Sequence, residues 1–174
     1  MTTYTLAGGC FWCLDAVYRR FKGVKSVVSG YTGGDIAHPS YDKVSGGRTG
    51  HAEAVQVLFD ETIIPENIIL DIFFTAHNPT TLNRQGNDTG TQYRSAMFYV
   101  DEAQKQIFQE AINRAALVWD DPIVTELAML GEFYDAEQYH QDYFNNNPAN
   151  PYCSIVIEPK VAKTRKNFTE WLAE

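Results

Sequence analysis

The sequence predicts an α+β fold in which one layer of helices covers one mixed sheet. Three observations lead there. Segments with the two-residue alternation of strands are interleaved with segments spaced like amphipathic helices. Some strand-like segments follow one another with no helix between them, which a regular parallel α/β sheet does not allow. A chain of 174 residues without repeats, low-complexity tracts or linker-like stretches suits one domain, 1–174.

Thr3 to Ala7 is a short β-prone segment that Gly8-Gly9 breaks. From Cys10, Leu14, Val17, Tyr18 and Phe21 fall on one helical face, and Gly23 suits the position just past its end. Val24 to Tyr31 reads as a strand and Asp35 to Gly50 as a loop rich in glycine and proline. Glu53 to Phe59 alternates, with Val55, Val57 and Phe59 on one side. Pro65 opens a helix that Pro79 closes, with Ile68, Ile69, Ile72, Phe73 and Ala76 as its face. Thr80 to Arg94 is a long polar run with two large apolar side chains, Leu82 and Tyr93; such runs inside a domain are usually functional or disordered. Ser95 to Val100 is a strand, and Asp101 with Gln104 starts a helix faced by Ile107, Phe108, Ala111, Ile112 and Ala115. The remainder reads as a strand at Pro122–Leu127, a helix at Ala136–Phe144, a loop at Asn145–Pro151, a β-prone Ser154–Ile157 and a closing helix, Val161–Leu172.

Composition removes several function classes. Apolar residues make up 44% and charged residues 21%, an ordinary globular mixture that builds a core without staples. Twenty-two acidic residues against fourteen basic ones give a net charge of −8, the wrong sign for a binder of nucleic-acid phosphates. The densest apolar stretch, Ile68 to Phe74, is short and interrupted by Asp71, so no membrane span is expected. Met1 to Gly9 has neither a basic start nor a long apolar run, so the expected address is the cytoplasm. Three cysteines are too few and too odd in number to staple such a chain. In that compartment Cys10-x-x-Cys13 reads as redox or metal chemistry, beside the plain reading of three small buried hydrophobes.

Gly8-Gly9-Cys10-Phe11-Trp12-Cys13 is the most informative segment. A cysteine at the first turn of a helix lies over unpaired N–H groups and the positive dipole end, which favours the reactive thiolate. Glycines before it let the backbone approach a substrate closely. Phe11 and Trp12 are either core residues or walls of an apolar pocket beside the thiol. Cys13, one turn on, is positioned to capture an oxidised Cys10. A thiol–disulfide exchanger uses the same pattern, and a zinc module would recruit Cys10, Cys13, Cys153 and one histidine.

The chain resembles the A-type peptide methionine sulfoxide reductases along essentially its whole length. Gly9-Cys10-Phe11-Trp12, Gly30-Tyr31-Thr32-Gly33-Gly34 with Pro39-Ser40-Tyr41, and Thr49-Gly50-His51-Ala52-Glu53-Ala54-Val55 are similar to that family's motifs. So are His77-Asn78-Pro79-Thr80-Thr81 and the stretch from Gln85-Gly86-Asn87-Asp88 to Gln92-Tyr93-Arg94-Ser95. The resemblance implies a small two-layer α/β sandwich with a mixed sheet, ferredoxin-like rather than a thioredoxin fold. It implies reduction of the S epimer of methionine sulfoxide, free or in peptides, by a monomer. No cofactor is needed beyond an external reductant, thioredoxin or another dithiol.

A sulfoxide sulfur is a weak electrophile, so its reduction needs a strong sulfur nucleophile, a proton donor at the oxygen and a pocket for the S-methyl group. By resemblance Cys10 is the nucleophile, Glu53 the proton donor, and Tyr41 and Tyr93 the hydroxyls bonded to the sulfoxide oxygen. Asp88 helps hold the substrate, and Phe11 and Trp12 form the methyl pocket. Glu53 has independent support: it shares parity with Val55, Val57 and Phe59, so it faces the apolar side, where desolvation raises a carboxyl pKa. Its plain alternative is a strand-end carboxylate in solvent or paired with Arg94. Cys153 matches the family's C-terminal resolving cysteine, on a loop able to swing. Cys13 stands where the family usually has glycine, and the order in which Cys13 and Cys153 act is left open. Asp15 stands where Glu is usual, with little consequence expected. His51 either tunes Glu53 or has no role, and His38, His77 and His140 receive none.

Overall fold

The computed structural model describes Met1–Glu174. In chain order its elements are β1 (Thr2–Gly8), α1 (Phe11–Tyr18), β2 (Val24–Thr32), α2 (Tyr41–Ser45), β3 (Ala52–Phe59), α3 (Glu66–Ala76), β4 (Arg84–Gln85) and β5 (Asp88–Thr89). Then come β6 (Ser95–Tyr99), α4 (Glu102–Ala116), β7 (Glu126–Met129), β8 (Phe133–Asp135), α5 (Tyr143–Asn146) and α6 (Glu158–Asn167). Six strands form one sheet in the order β7-β6-β1-β3-β2-β8, and β4 and β5 form a separate hairpin. All neighbours in the large sheet are antiparallel except β6 and β7, so the sheet is mixed, as expected.

Strand alternation separates two apolar layers. Tyr4, Leu6, Val55, Val57, Phe59 and Met97 pack with Leu14, Val17, Ile69, Phe73, Phe108 and Val161 from the helices. The ring of Tyr4 meets those of Phe59 and Phe108 edge-on at 5.1 and 4.9 Å. The opposite parity carries a small cluster, Ala7, Ala52, Ala54, Ala96 and Phe98, against Ala128, Leu130 and Phe133. Every large helix therefore lies on one face. No helix is long and apolar enough to cross a membrane.

Several elements depart from the expectation. α1 stops at Tyr18, and Gly23, with φ +84°, turns the chain toward β2. The loop Asp35–Gly50 contains the short helix α2, whose first turn Ser40 caps by accepting from the Lys43 N–H. Thr80–Arg94 is not structureless: it holds the β4–β5 hairpin and a 3₁₀ turn at Thr91–Tyr93. The strand expected at Pro122–Leu127 lies later, as β7.

Ala136–Phe144 is not one helix. It follows the unforeseen edge strand β8 and consists of a 3₁₀ turn, a break at Asp142 with φ +51°, and α5. Long-range polar groups impose the break: the Gln141 amide bonds both the N–H and the C=O of Ser29, and Asp15 accepts from the Asp142 N–H at 2.8 Å. Asp15 is thus a buried clamp, further paired with Arg19. Ser154–Ile157 is helical rather than β. Cys153 and Ile157 are both buried while Ile155 is 71% exposed, so burial follows a helical spacing and overrides the β-branched composition. The turn runs into α6, which ends at Asn167 before a 3₁₀ turn at Thr169–Trp171.

Candidate active site at the first helix start

Cys10 is the N-cap of α1, with extended ψ of 127°, and its side chain makes no capping bond. The first turn of a helix leaves N–H groups without partners. Here the Phe11 N–H donates to Oε1 of Glu53 at 3.2 Å, so a carboxyl group from β3 closes the helix start. Glu53 faces the apolar side as its parity predicts, and is 1% exposed. Its Oε2 has no hydrogen-bond partner. A buried, half-partnered carboxylate is strongly disfavoured, and burial accordingly pushes the Glu53 carboxyl up to about 8, against the lowering effect of the Phe11 bond. At neutral pH Glu53 is mainly the neutral acid, with an O–H to give.

The thiols depart from the expectation of a resting Cys10 thiolate. Cys10 is 8% exposed, and burial pushes its thiol well above the ordinary range, assisted by Cys13 and the Glu53 charge. Cys13 is shifted the other way, chiefly by a hydrogen bond from Cys10, with help from Lys160 and the Tyr152 hydroxyl. The helix-start field is present but loses to desolvation at Cys10. Cys153 sits in an ordered helical turn rather than on a loose loop, buried near Cys13, whose charge helps to raise its thiol after burial.

The aromatic residues surround the thiol. Phe11 is fully buried against Tyr31. Trp12 stacks on Tyr143 at 3.6 Å and 4°. Tyr41 begins α2, and burial and the nearby Glu53 charge raise its hydroxyl; Tyr93 is raised by the same two causes, with Tyr41, Asp88 and Cys10 also near. Asp88 begins β5 and accepts from the Tyr152 hydroxyl at 2.6 Å. All nine residues singled out from the sequence thus converge on one region. The glycines have a packing role. A Cβ at Gly8 would meet the His77 ring at 2.9 Å, and one at Gly9, where φ is +89°, would meet the Gln85 side chain at 2.6 Å. Both make room for neighbouring side chains. Gln85 in turn bonds both the N–H and the C=O of Asn78, locking the hairpin loop beneath Cys10.

A family model described as "Peptide methionine sulfoxide reductase" matches residues 2–172. The chain belongs to this family. A relative from Clavibacter michiganensis, "Peptide methionine sulfoxide reductase MsrA", is 60% identical over 172 residues, 99% of this chain and 98% of the relative. Among solved structures, reduced Mxr1 from Saccharomyces cerevisiae superposes with a TM-score of 0.83 at 36% identity, covering 87% of this chain and 88% of that one. Mxr1 in complex with Trx2 matches with a TM-score of 0.59 at 26% identity, covering 82% and 84%.

The reductase site includes residues the sequence did not reveal. His140 is buried, accepts from the Trp12 Nε1–H at 3.0 Å, and packs on Phe11 and Tyr41. Glu137 accepts from the Tyr31 hydroxyl and the Tyr41 N–H, at 2.8 and 3.0 Å, and so fixes where α2 begins. Tyr143 and Tyr152 flank Trp12. The available signal was a crowd of Tyr, His, Gln and Glu in 137–143 without a clean helical period. His51, by contrast, is fully engaged by the Gly34 N–H and the Ile36 C=O and does not tune Glu53. No group of three or more His, Cys, Asp or Glu side chains is gathered to hold a metal ion.

Proposed function

We propose that the chain reduces the S epimer of methionine sulfoxide, in peptides or free, to methionine. The sulfoxide oxygen accepts from the neutral Glu53 carboxyl and from the hydroxyls of Tyr41 and Tyr93. Its S-methyl group rests against Phe11 and Trp12, and Asp88 helps to hold the substrate. Glu53 passes its proton to the sulfoxide oxygen and takes up the Cys10 proton as the Cys10 sulfur attacks the sulfoxide sulfur. Oxygen passes to Cys10, which becomes a sulfenic acid, and methionine leaves. A second thiol, Cys13 or Cys153, condenses with the sulfenic acid, and thioredoxin or another dithiol reduces the disulfide. The capture of Mxr1 with Trx2 supports that choice of reductant.

The observation that carries this reading is the unpartnered Glu53 Oε2, one residue from the nucleophile along the Phe11 bond. The same reading has one catalytic domain, 1–174, acting as a monomer in the cytoplasm without metal or organic cofactor. The test is incubation with the separated S and R epimers of a blocked methionine sulfoxide, with dithiothreitol as reductant. Loss of the S epimer alone is expected. Persistence of both epimers, together with rapid reduction of insulin disulfides, would establish a thiol–disulfide exchanger instead.

A further inference from the structure

We propose that Cys13, rather than Cys153, is the thiol that resolves the Cys10 sulfenic acid. The proposal rests on Cys10 being the nucleophile, and it assigns an order to the two thiols behind it.

Cys10 and Cys13 occupy the N-cap and third positions of α1, joined by the Cys13 N–H donating to the Cys10 carbonyl at 3.0 Å. Side chains three residues apart on a helix have Cβ atoms about 5–6 Å apart, and a disulfide needs about 3.5–4.5 Å. The N-cap lies outside the helical repeat, with ψ of 127°, so the remaining gap is closed by movement of Cys10 alone. That backbone bond holds the two residues in a single turn of the reduced protein, both with buried side chains.

Cys153 is placed differently. It lies not in α1 but 143 residues further along the chain, in the turn that leads into α6. It is 1% exposed, and its N–H is committed to the Asn150 carbonyl at 3.0 Å at the head of a helical turn that continues into α6. Tyr152 beside it is pinned twice, its N–H to Asn150 Oδ1 at 2.9 Å and its hydroxyl to Asp88 at 2.6 Å. Bringing Cys153 to Cys10 would unwind this turn, whereas Cys13 is already beside it. In the step, the Cys13 sulfur attacks the Cys10 sulfur. The S–S bond forms as the S–O bond breaks, and the hydroxyl leaves with the Cys13 proton as water. The two thiols together supply the two electrons that the sulfoxide consumes, and Cys153 remains a thiol for later exchange.

The experiment is one turnover of the reduced protein with an equivalent of the S epimer and no reductant. It is quenched with dimedone and an alkylating agent, and the disulfide is mapped by peptide mass spectrometry. Cys153→Ser, which leaves α1 untouched, is expected to form the Cys10–Cys13 disulfide with no trapped sulfenic acid. Cys13→Ser is expected to release methionine while the Cys10 sulfenic acid persists, with disulfide formation slowed at least about tenfold by the lost proximity. A Cys10–Cys153 bond forming in Cys13→Ser at the wild-type rate would overturn the proposal, as would sulfenic acid accumulating in Cys153→Ser. No methionine from the wild-type protein would instead sink the nucleophile assignment itself, and the order of resolution with it.

Discussion

Helices α1 and α4 both begin just beyond the end of a strand of the central sheet, β1 and β6, yet they close their first turns differently. At α4 the cap is local: Asp101 accepts from the Gln104 N–H at 2.8 Å, and the Gln104 side chain accepts from the Val100 N–H at 3.0 Å. Every group involved lies within one turn. At α1 the N-cap Cys10 contributes no bond, and the Phe11 N–H is served by Glu53, 42 residues away in sequence. The local cap closes the helix with groups of its own turn, and what Gln104 has left over, its amide N–H, goes to the Thr3 carbonyl on β1. The distant one needs a single oxygen and leaves the other free. A helix start left open by its own sequence is a place where a group from elsewhere, with capacity to spare, can enter.

The widest contrast comes from Cys10→Ser. Reduction of the S epimer should disappear, while stability holds or rises by up to about 1 kcal/mol because Ser is a better N-cap than Cys. Methionine release and thermal unfolding read the two effects, and retained activity or a lower midpoint would break the comparison. Glu53→Gln keeps an oxygen for the Phe11 N–H but removes the acid. Single-turnover methionine formation should slow by about 10²–10⁴-fold. The wild-type rate should fall as pH rises through about 8, where Glu53 ionises, and this fall should be missing in the variant. A wild-type profile with no such fall contradicts the acid role.

Stability gives a smaller signal from the same group. The folded protein holds the Glu53 proton up to about pH 8, whereas an ordinary Glu releases it near 4.5. Between those values the folded state binds more protons, so this contribution is complete below the lower value and is lost as pH rises through the upper one. Denaturant melts should show wild type losing up to about 1.4 kcal/mol per pH unit in this window relative to Glu53→Gln. Equal slopes would contradict the raised carboxyl. The smallest effect belongs to α4: Asp101→Ala should cost about 1 kcal/mol, lowering the melting midpoint by about 2–4 °C, with reduction rates within about twofold of wild type. A large loss of activity there would show that the two helix starts are coupled.

The same contrast explains what was legible in the sequence. Asp101–Gln104 is a local device, and the helix it opens is where the pattern puts it. Glu53 was readable because a strand's parity is also local, and its inward aim followed from Val55, Val57 and Phe59. The Phe11–Glu53 bond itself was not readable, because nothing near either residue announces the other. Gln141, with its side chain spent on Ser29 and Ala136, broke an expected helix for the same reason. Ser154–Ile157 misled through composition: β-branched residues there obey a helical burial spacing set by α6. His140 was invisible because its role depends on Trp12, and the two are 128 residues apart.

The burial of Cys10 has one further consequence. A cysteine's susceptibility to peroxide follows its thiolate character and its exposure, and past the sulfenic stage the damage is essentially irreversible. Cys10 offers a small oxidant little of either, being nearly covered and holding its proton at rest. In the proposed reaction a sulfoxide brings its own hydrogen-bond acceptor to Glu53, Tyr41 and Tyr93, and so would meet the thiol on terms that a diffusing peroxide does not. An enzyme whose substrate appears only when oxidants are abundant is thereby kept from becoming their target.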